Sequence, residues 1–201
     1  MAVRVAPTVS IEIPQWYLTA LMRRVVAITG SSGVIYGIRL LQELQGEKLL
    51  VISEMGKKLI ETETNLKVSE VEDLADRVLD NADLFASIAS GSFRHDGMAI
   101  CPCSMNTLGK VSTGLADNLI SRAAAVCLKE RRRLVVVPRE TPMDAIMLEN
   151  QMRLAQAGAI ILPACPGFYR KPASVDEMID FVVGKTLDAL GQDNDLYQRW
   201  Q

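Results

Sequence analysis

Short apolar runs rich in β-branched residues alternate with segments of helical apolar spacing, and this alternation limits the fold more than any other feature of the chain. Five such runs predict buried strands, each followed by a glycine, proline or polar residue: residues 24–29, 48–52, 97–101, 133–137 and 159–162. Helices are predicted at residues 34–44, 55–63, 68–79, 104–111, 117–129, 141–157 and 174–190. This order, without a long linker or internal repeat, predicts a three-layer α/β fold: a doubly wound, mostly parallel sheet with helices on both faces.

Prolines are expected to mark two element boundaries. Pro102 should stop the third strand, and Pro142 should occupy the first turn of the helix that follows the fourth. The weak pattern over residues 83–89 fits either a strand or a turn.

Length and composition predict one domain over residues 24–201, preceded by an extension over residues 1–23. Glu12 and two prolines interrupt any apolar centre in that extension, so it does not resemble a signal peptide; Met22 is an alternative start. No run of about 18 apolar residues is present, so no membrane span is expected. The net charge of −2 argues against a nucleic-acid partner. Four cysteines without zinc spacing predict buried thiols in the cytoplasm and no metal site.

Small or polar residues follow four of the predicted strands: Gly30, Ser53, Ser104 and Arg139. Because ligands of open parallel sheets bind outside the carboxyl ends of the strands, these residues are expected to face one crevice. The stretch from Cys101 to Pro142 adds hydroxyls, the helix cations Arg122 and Lys129, and a carboxylate at Glu140. Such a set suits a phosphate-bearing ligand that also undergoes proton transfer.

Each local motif in this crevice also has a plain structural interpretation. The Thr29–Gly33 turn is neither GxGxxG nor a P-loop, and a simple tight turn explains it equally well. Ser104 is also a favourable helix N-cap, and Arg139 and Glu140 also suit a loop salt bridge. Arg122 is harder to explain, because a cation in a helix of small apolar residues needs an anion or a wet pocket. His95, the only histidine, lies in a Gly-rich loop and is expected to be solvated.

Taken together, several segments resemble the UbiX flavin prenyltransferase family over residues 24–200. They are TGSSGVIYGIRLL, the Thr62–Glu63–Thr64 turn, SGSF, CPCSMNTL, LISRAAAVCLKERRRLVVVPRETP, LENQMRLAQAGAIILPACPGFY and the closing Arg199–Trp200. The resemblance implies a Rossmann-like flavoprotein that assembles as a homododecamer built from trimers. It implies that dimethylallyl phosphate alkylates reduced FMN at N5, that ring closure follows at C6, and that no metal is needed. The prenylated FMN would pass to a UbiD-type decarboxylase.

The resemblance also implies roles for individual residues, some supplied by neighbouring subunits. Flavin contacts are expected from Gly30, Ser31, Ser32, Ser53, Ser104, Met105, Asn106, Thr107 and Arg139, with Ser32 near N5. The prenyl phosphate is expected to meet Arg122, Lys129, Glu140, Tyr169 and Lys185, while Trp200 and the SGSF loop shape the apolar prenyl pocket. Catalytic roles fall to Glu140, Ser32, Glu63 and Lys129, with Glu140 in proton transfer. Ser31 departs from the family pattern, in which Ala is usual, and Asn106 occupies a variable position.

Three alternative functions are compatible with parts of the sequence. A flavin-dependent cysteine decarboxylase would rely on a catalytic histidine, and His95 lies in the wrong kind of segment. A direct aromatic-acid decarboxylase would need a group that activates the substrate carboxylate, and the sequence offers no obvious one. A flavin-carrying subunit without catalysis would not need the second set of phosphate-binding side chains.

Overall fold

The computed structural model describes residues 22–200, and the expectations for residues 1–21 lie outside this range. Within the described part, six strands form one sheet: β1 (Arg23–Ile28), β2 (Glu47–Ile52), β3 (Arg77–Leu79), β4 (Gly97–Cys103), β5 (Arg133–Pro138) and β6 (Ile160–Ile161). Every neighbouring pair is parallel, and the spatial order is β3-β2-β1-β4-β5-β6. The predicted doubly wound sheet is therefore confirmed, and its strand order reverses between β1 and β4.

Helices cover both faces of this sheet. They are α1 (Val34–Glu43), α2 (Glu54–Glu63), α3 (Val68–Glu72), α4 (Met105–Ser112), α5 (Leu119–Lys129), α6 (Ala145–Gln156) and α7 (Val175–Leu190), with a short 3₁₀ turn at Ser87–Ala89. Val25 and Ala27 of β1 face a core that includes α4, α5 and α6, whereas Val26 and Ile28 face the core with α1, α2, α3 and α7. Alternate side chains of one strand thus build two separate apolar layers.

The segment over residues 68–79 differs from its prediction as a single helix. α3 ends at Glu72, and β3 pairs with β2 from Arg77 onward. Asp76 fixes this edge, because its N–H donates to Lys48 O at 3.0 Å and its Oδ2 accepts from Lys48 N at 2.7 Å. Pairing with a distant strand here overrides the local helical pattern. Residues 83–89 form turns and the 3₁₀ segment, so the turn alternative is correct.

Both proline boundaries need correction. β4 continues through Pro102 to Cys103, and its pairing with β5 is irregular between Ile100 and Cys103. A proline fits at such an irregularity, because a regular ladder N–H is not required there. Pro142 lies before α6 and not in its first turn, since Asp144 caps the helix by accepting from Met147 N at 2.8 Å.

The described residues include no helix with the length and apolar character needed to cross a bilayer.

Candidate active site

The carboxyl ends of β1 and β4 are joined by Thr29, which is fully buried. Its backbone N–H and its Oγ1 both donate to Pro102 O, at 3.2 and 2.8 Å. The same Oγ1 accepts from Ser104 N at 2.8 Å. One threonine therefore fixes the spacing of the two strand ends that border the crevice. Sequence reasoning missed this residue; its position between an apolar strand and a glycine was the available signal.

The loop after β1 is held by backbone and side-chain bonds to the end of β5. Ser31 is buried, its Oγ donates to Arg139 O at 2.6 Å, and its N–H donates to Thr29 O at 2.8 Å. Arg139 returns a bond from its Nε to Ser32 O at 2.9 Å. The Ser32 side chain is exposed. Within this loop, Ser32 is thus the serine whose side chain faces solvent, whereas Ser31 ties the loop to the strand.

Glu63 closes the N-terminus of α1. Its Oε2 accepts from Gly33 N at 2.8 Å and from Val34 N at 3.2 Å. A carboxylate at a helix N-terminus interacts favourably with the helix dipole. Because this carboxylate already accepts from Gly33 N and Val34 N, these two N–H groups are not available to a ligand phosphate. The geometry gives Glu63 a structural task beside the catalytic one predicted for it.

A second helix N-terminus at this edge is that of α4, which starts directly after β4. Ser104 is the N-cap, and its Oγ accepts from Thr107 N at 3.3 Å and lies 3.0 Å from Thr107 Oγ1. Asn106 is exposed, and Met105 is partly buried against the core. First-turn N–H groups of a helix lack intrahelical partners and attract anions. The start of α4 therefore offers N–H and hydroxyl groups that can bind an anionic ligand.

Ser53 completes the row of strand ends. Its N–H donates to Ile28 O at 3.0 Å, and its Oγ caps α2 by accepting from Gly56 N at 3.0 Å. Gly30 is required beside it, because a Cβ at that position would lie 2.5 Å from Met55 Cβ. The residues predicted for the flavin thus lie along one edge of the sheet, after β1, β2, β4 and β5.

Arg139 and Glu140 sit at this edge without pairing with each other. Neither takes part in an ion pair with any residue of the 22–200 segment, and both are half-buried. Glu140 Oε1 accepts from Thr141 N at 3.0 Å, which leaves its other oxygen free of a bond to the described residues. The loop salt bridge considered as an alternative is therefore absent there.

Of the two predicted phosphate-binding cations of α5, Lys129 lies away from this edge. Arg122 donates from Nε to Ala89 O at 3.0 Å, and Lys129 forms an ion pair with Glu130. α5 ends at Lys129, only four residues before β5 begins at Arg133, so Lys129 lies at the amino edge of the sheet. A strand of six residues spans about 20 Å. Lys129 of one chain is thus separated from that chain's own crevice by about the length of the sheet.

Tyr169, Lys185 and Trp200 lie on the opposite face of the sheet, with α7. The Tyr169 and Trp200 rings meet edge to face, with centroids 5.4 Å apart. Lys185 is exposed on α7, which packs in the apolar layer opposite to that of α5. One chain therefore brings the predicted flavin residues together, but it does not bring Arg122 and Lys129 together with Lys185.

His95 is buried, contrary to the expectation of a solvated loop residue, because it packs directly before β4. Its Nδ1 lies 3.2 Å from Gly97 O. Burial, followed by the nearby charge of Arg132, lowers the pKa of the imidazole. Since His95 precedes β4, it lies at the amino edge, opposite the crevice, and cannot serve there as a catalytic base within one chain.

Arg132 is a second residue that sequence reasoning missed. Its Nη1 and Nη2 donate to Phe93 O at 2.8 Å and Gly91 O at 2.6 Å, so it holds the SGSF loop. Of the cysteines, Cys101, Cys103 and Cys127 are buried as predicted, whereas Cys165 is exposed. In the described part of the chain, no group of three or more His, Cys, Asp or Glu side chains is placed to hold a metal ion.

The strand order and the crevice at its switch point define a Rossmann-like flavoprotein, and the Flavoprotein family model matches residues 19–187. A relative from Methanothermobacter thermautotrophicus, flavin prenyltransferase UbiX, is 49% identical over 179 residues, covering 88% of this chain and 94% of that protein. The chain belongs to the UbiX flavin prenyltransferase family.

Two solved structures share this fold closely. One is AnUbiX (PadA1) in complex with FMN and dimethylallyl pyrophosphate, with a TM-score of 0.88, 45% identity, and coverage of 90% of this chain and 97% of that chain. The other is a dodecameric FMN-dependent UbiX-like decarboxylase from Escherichia coli O157:H7, with a TM-score of 0.87, 43% identity, and coverage of 90% and 100%.

Proposed function

We propose that this chain is a flavin prenyltransferase, which transfers a dimethylallyl group from dimethylallyl phosphate to N5 and C6 of reduced FMN and so makes prenylated FMN. One observation of the structure carries this proposal: Arg139 and Glu140 stand side by side at the crevice, half-buried and not paired with each other. A cation and a carboxylate that stand together without neutralising each other fit a reaction that handles both a phosphate and a proton.

Reduced FMN would supply the nucleophilic N5 and C6 positions. The allylic C–O bond breaks with its electron pair leaving on the phosphate, and C–N and C–C bonds to the flavin form in its place. Two hydrogens leave the flavin, one from N5 and one from C6; the phosphate takes one proton and the prenyl alkene takes the other. The site therefore needs a group that accepts and returns a proton, and Glu140 is proposed for it. Arg139, Ser32, Ser53 and the residues from Ser104 to Thr107 would hold the flavin.

The remaining substrate residues are proposed to meet across subunits. Arg122 and Lys129 lie on the face opposite to Lys185, so a shared phosphate site needs more than one chain. α6 exposes an apolar surface suited to a subunit contact, with Ile146 at 69% and Met152 at 54% exposed. We infer a homododecamer built from trimers, as the dodecameric relative suggests. Light scattering on the purified chain tests this assembly.

Two further parts of the proposal concern the setting of the enzyme. A UbiD-type decarboxylase is proposed as the acceptor of the product, in line with the family. A cytoplasmic location is proposed because all four cysteines are free thiols, as in a reducing compartment.

Mass spectrometry tests the activity directly. The chain is incubated without oxygen with reduced FMN and dimethylallyl phosphate, and the extracted flavin is weighed. A flavin heavier by the prenyl group is expected, and an unchanged FMN mass would refute the activity.

The Glu140→Gln variant tests the proton-transfer role. FMN binding should persist, while the prenylation rate should fall by about 10²–10⁴-fold, the usual contribution of a general acid or base. Glu61→Gln, an exposed glutamate of α2, is the matched control and should keep the wild-type rate. A wild-type rate for Glu140→Gln would remove Glu140 from catalysis.

A further inference from the structure

The C-terminal segment after α7, residues 192–200, turns back and runs along α7 towards the carboxyl edge of the sheet. α7 ends at Leu190, whose O accepts from Arg133 Nη1 at 3.1 Å, and Gly191 follows in the left-handed conformation with φ of 76°. Further along, the segment passes Asn194 and Tyr197 and ends with Trp200 against Tyr169. We call residues 194–200 the returning tail.

Asp188 of α7 is the main polar contact of the returning tail. Its Oδ1 accepts from Asn194 Nδ2 at 2.9 Å and from Arg199 Nη2 at 2.8 Å. Its Oδ2 accepts from Tyr197 Oη at 2.5 Å and from Arg199 Nη1 at 3.1 Å. One carboxylate therefore binds three side chains spread over the whole tail.

α7 also provides a notch that fits the tail. A Cβ at Gly184 would lie 2.5 Å from Tyr197 Cδ1 and 2.7 Å from Asn194 Oδ1, so only glycine leaves the necessary space. Gly184 O accepts from Asn194 Nδ2 at 3.0 Å. The Tyr197 ring packs edge to face on Phe181, with centroids 5.3 Å apart. Phe181, Gly184 and Asp188 lie at helical spacing on one face of α7, which is thus shaped for this tail.

The docked tail connects two residues that the proposed function assigns to the prenyl substrate. Lys185 Nζ lies 5.8 Å from the centre of the Tyr197 ring, within cation–π range. Arg199 O accepts from Arg170 Nη2 at 2.5 Å, and Trp200 then meets Tyr169.

We propose that Asp188 is a positioning residue: by holding the returning tail on α7, it fixes Trp200 and Lys185 for the prenyl substrate. This inference rests on the proposed function, in which Trp200 lines the prenyl pocket and Lys185 meets the phosphate.

The charge of Asp188 supports this role. Burial alone raises the pKa of its carboxyl, but hydrogen bonds from Arg199 and Tyr197 outweigh burial, and the net pKa is lowered. Asp188 is therefore charged at neutral pH, and its bonds to Arg199 and Tyr197 are charge-assisted.

The test compares Asp188→Ala with Asp195→Asn, an exposed tail aspartate whose side chain makes no hydrogen bond or ion pair to the described residues. Both are made in full-length chain carrying Trp16→Phe, so that Trp200 is the only tryptophan left. Acrylamide quenching of Trp200 fluorescence reports the tail. Steady-state kinetics report KM for dimethylallyl phosphate and kcat, and a titration reports FMN affinity.

For Asp188→Ala we expect stronger quenching of Trp200, a KM for dimethylallyl phosphate raised about tenfold, and unchanged FMN affinity. Asp195→Asn should match the parent, and Asp188→Asn, which keeps one acceptor oxygen, should fall between them. A displaced Trp200 with an unchanged KM, or a raised KM with Trp200 in place, overturns the inference.

Two outcomes separate this inference from the proposed function. If the parent chain leaves FMN unprenylated, the proposed function is wrong, and the inference that rests on it is wrong as well. If the parent makes prenylated FMN while Asp188→Ala keeps the parent KM, only the inference fails. Should Asp188→Ala not fold, as judged by lost FMN binding, Tyr197→Phe removes one bond of the same contact; a smaller KM increase is expected, and none overturns the inference.

Discussion

Replacing Gly37 by alanine should destabilise the protein, although alanine normally improves a helix. In an unhindered helix the change stabilises by about 1 kcal/mol. Gly37, however, lies where α1 crosses β4, and a Cβ there would be 2.2 Å from Cys101 O and 2.8 Å from Ile28 Cγ1. Since non-bonded heavy atoms need about 3.5 Å, α1 must move away from the sheet by about 1 Å. Overpacking of this kind costs about 1–3 kcal/mol.

An approach of 2.2 Å to a backbone oxygen places this clash at the upper end of the range, about 3 kcal/mol, so after the helix gain of about 1 kcal/mol Gly37→Ala should lose about 2 kcal/mol of unfolding free energy. For a chain of this size, that corresponds to a Tm lower by about 4–8 °C. The same movement would carry Gly33 and Val34 of the α1 N-terminus away from Glu63, so FMN affinity should fall as well.

Gly109→Ala in α4 is the matched control, because its Cβ would meet only Asn150 Nδ2 at 3.6 Å, an ordinary contact. We expect Gly109→Ala to stabilise by about 0.5–1 kcal/mol. Thermal and urea unfolding followed by circular dichroism measure both variants. Shifts in the same direction, or an unchanged Tm for Gly37→Ala, would refute the reasoning.

Three further outcomes are expected. Glu63→Ala should lower the unfolding free energy by about 1–2 kcal/mol because the α1 cap is lost, and Glu63→Gln should lower it by less. Urea unfolding measures both variants, and a stability equal to wild type in both would contradict the capping role. A thiol reagent should modify Cys165 first, because burial raises the pKa of the Cys127 thiol to about 12 and shields it; mass mapping that finds Cys127 labelled first counts against this. Burial, then the bond to Asp188, raises the pKa of Tyr197 from 10.0 to about 12. The stability that Tyr197 contributes is therefore present below pH 10 and should be lost as the pH rises from 10 to about 12. Ultraviolet titration should show one late-titrating tyrosine that is missing from Tyr197→Phe; if the variant still shows it, the assignment is wrong.

Five of the six described strands were predictable because each lies in an apolar run with a glycine, proline or polar residue behind it; four of these strands are largely buried, and the short β6 is not. β3 was not, since Arg77–Leu79 is short, partly exposed and preceded by an acidic helical pattern. Its pairing is set by contacts with β2, nearly 30 residues away in the sequence, which local periodicity does not encode. The prediction that Pro102 ends its strand was wrong for a related reason, because the irregular β4–β5 pairing that accommodates this proline depends on both strands.

The candidate site likewise contains residues that the sequence predicts and residues that it does not. Ser53, Ser104 and Arg139 were predictable as strand-end residues, and the structure places them along one edge. Thr29 and Arg132 were not, because their partners are backbone carbonyls of distant segments. Whether Lys129 and Lys185 meet a common ligand depends on contacts between chains, which the pattern of one chain does not contain.

The buried Thr29 has a consequence for turnover. In the proposed reaction the flavin is not a resident cofactor, because it enters as FMN and leaves as the prenylated product in every cycle. If the loops around the crevice became ordered only when the flavin bound, each binding event would be weakened by the loss of their conformational entropy. Thr29 instead locks the ends of β1 and β4 through three hydrogen bonds made entirely within the protein. The rate at which FMN enters and the prenylated product leaves should then depend on contacts to the flavin and on neighbouring subunits, rather than on refolding of the loops around the crevice.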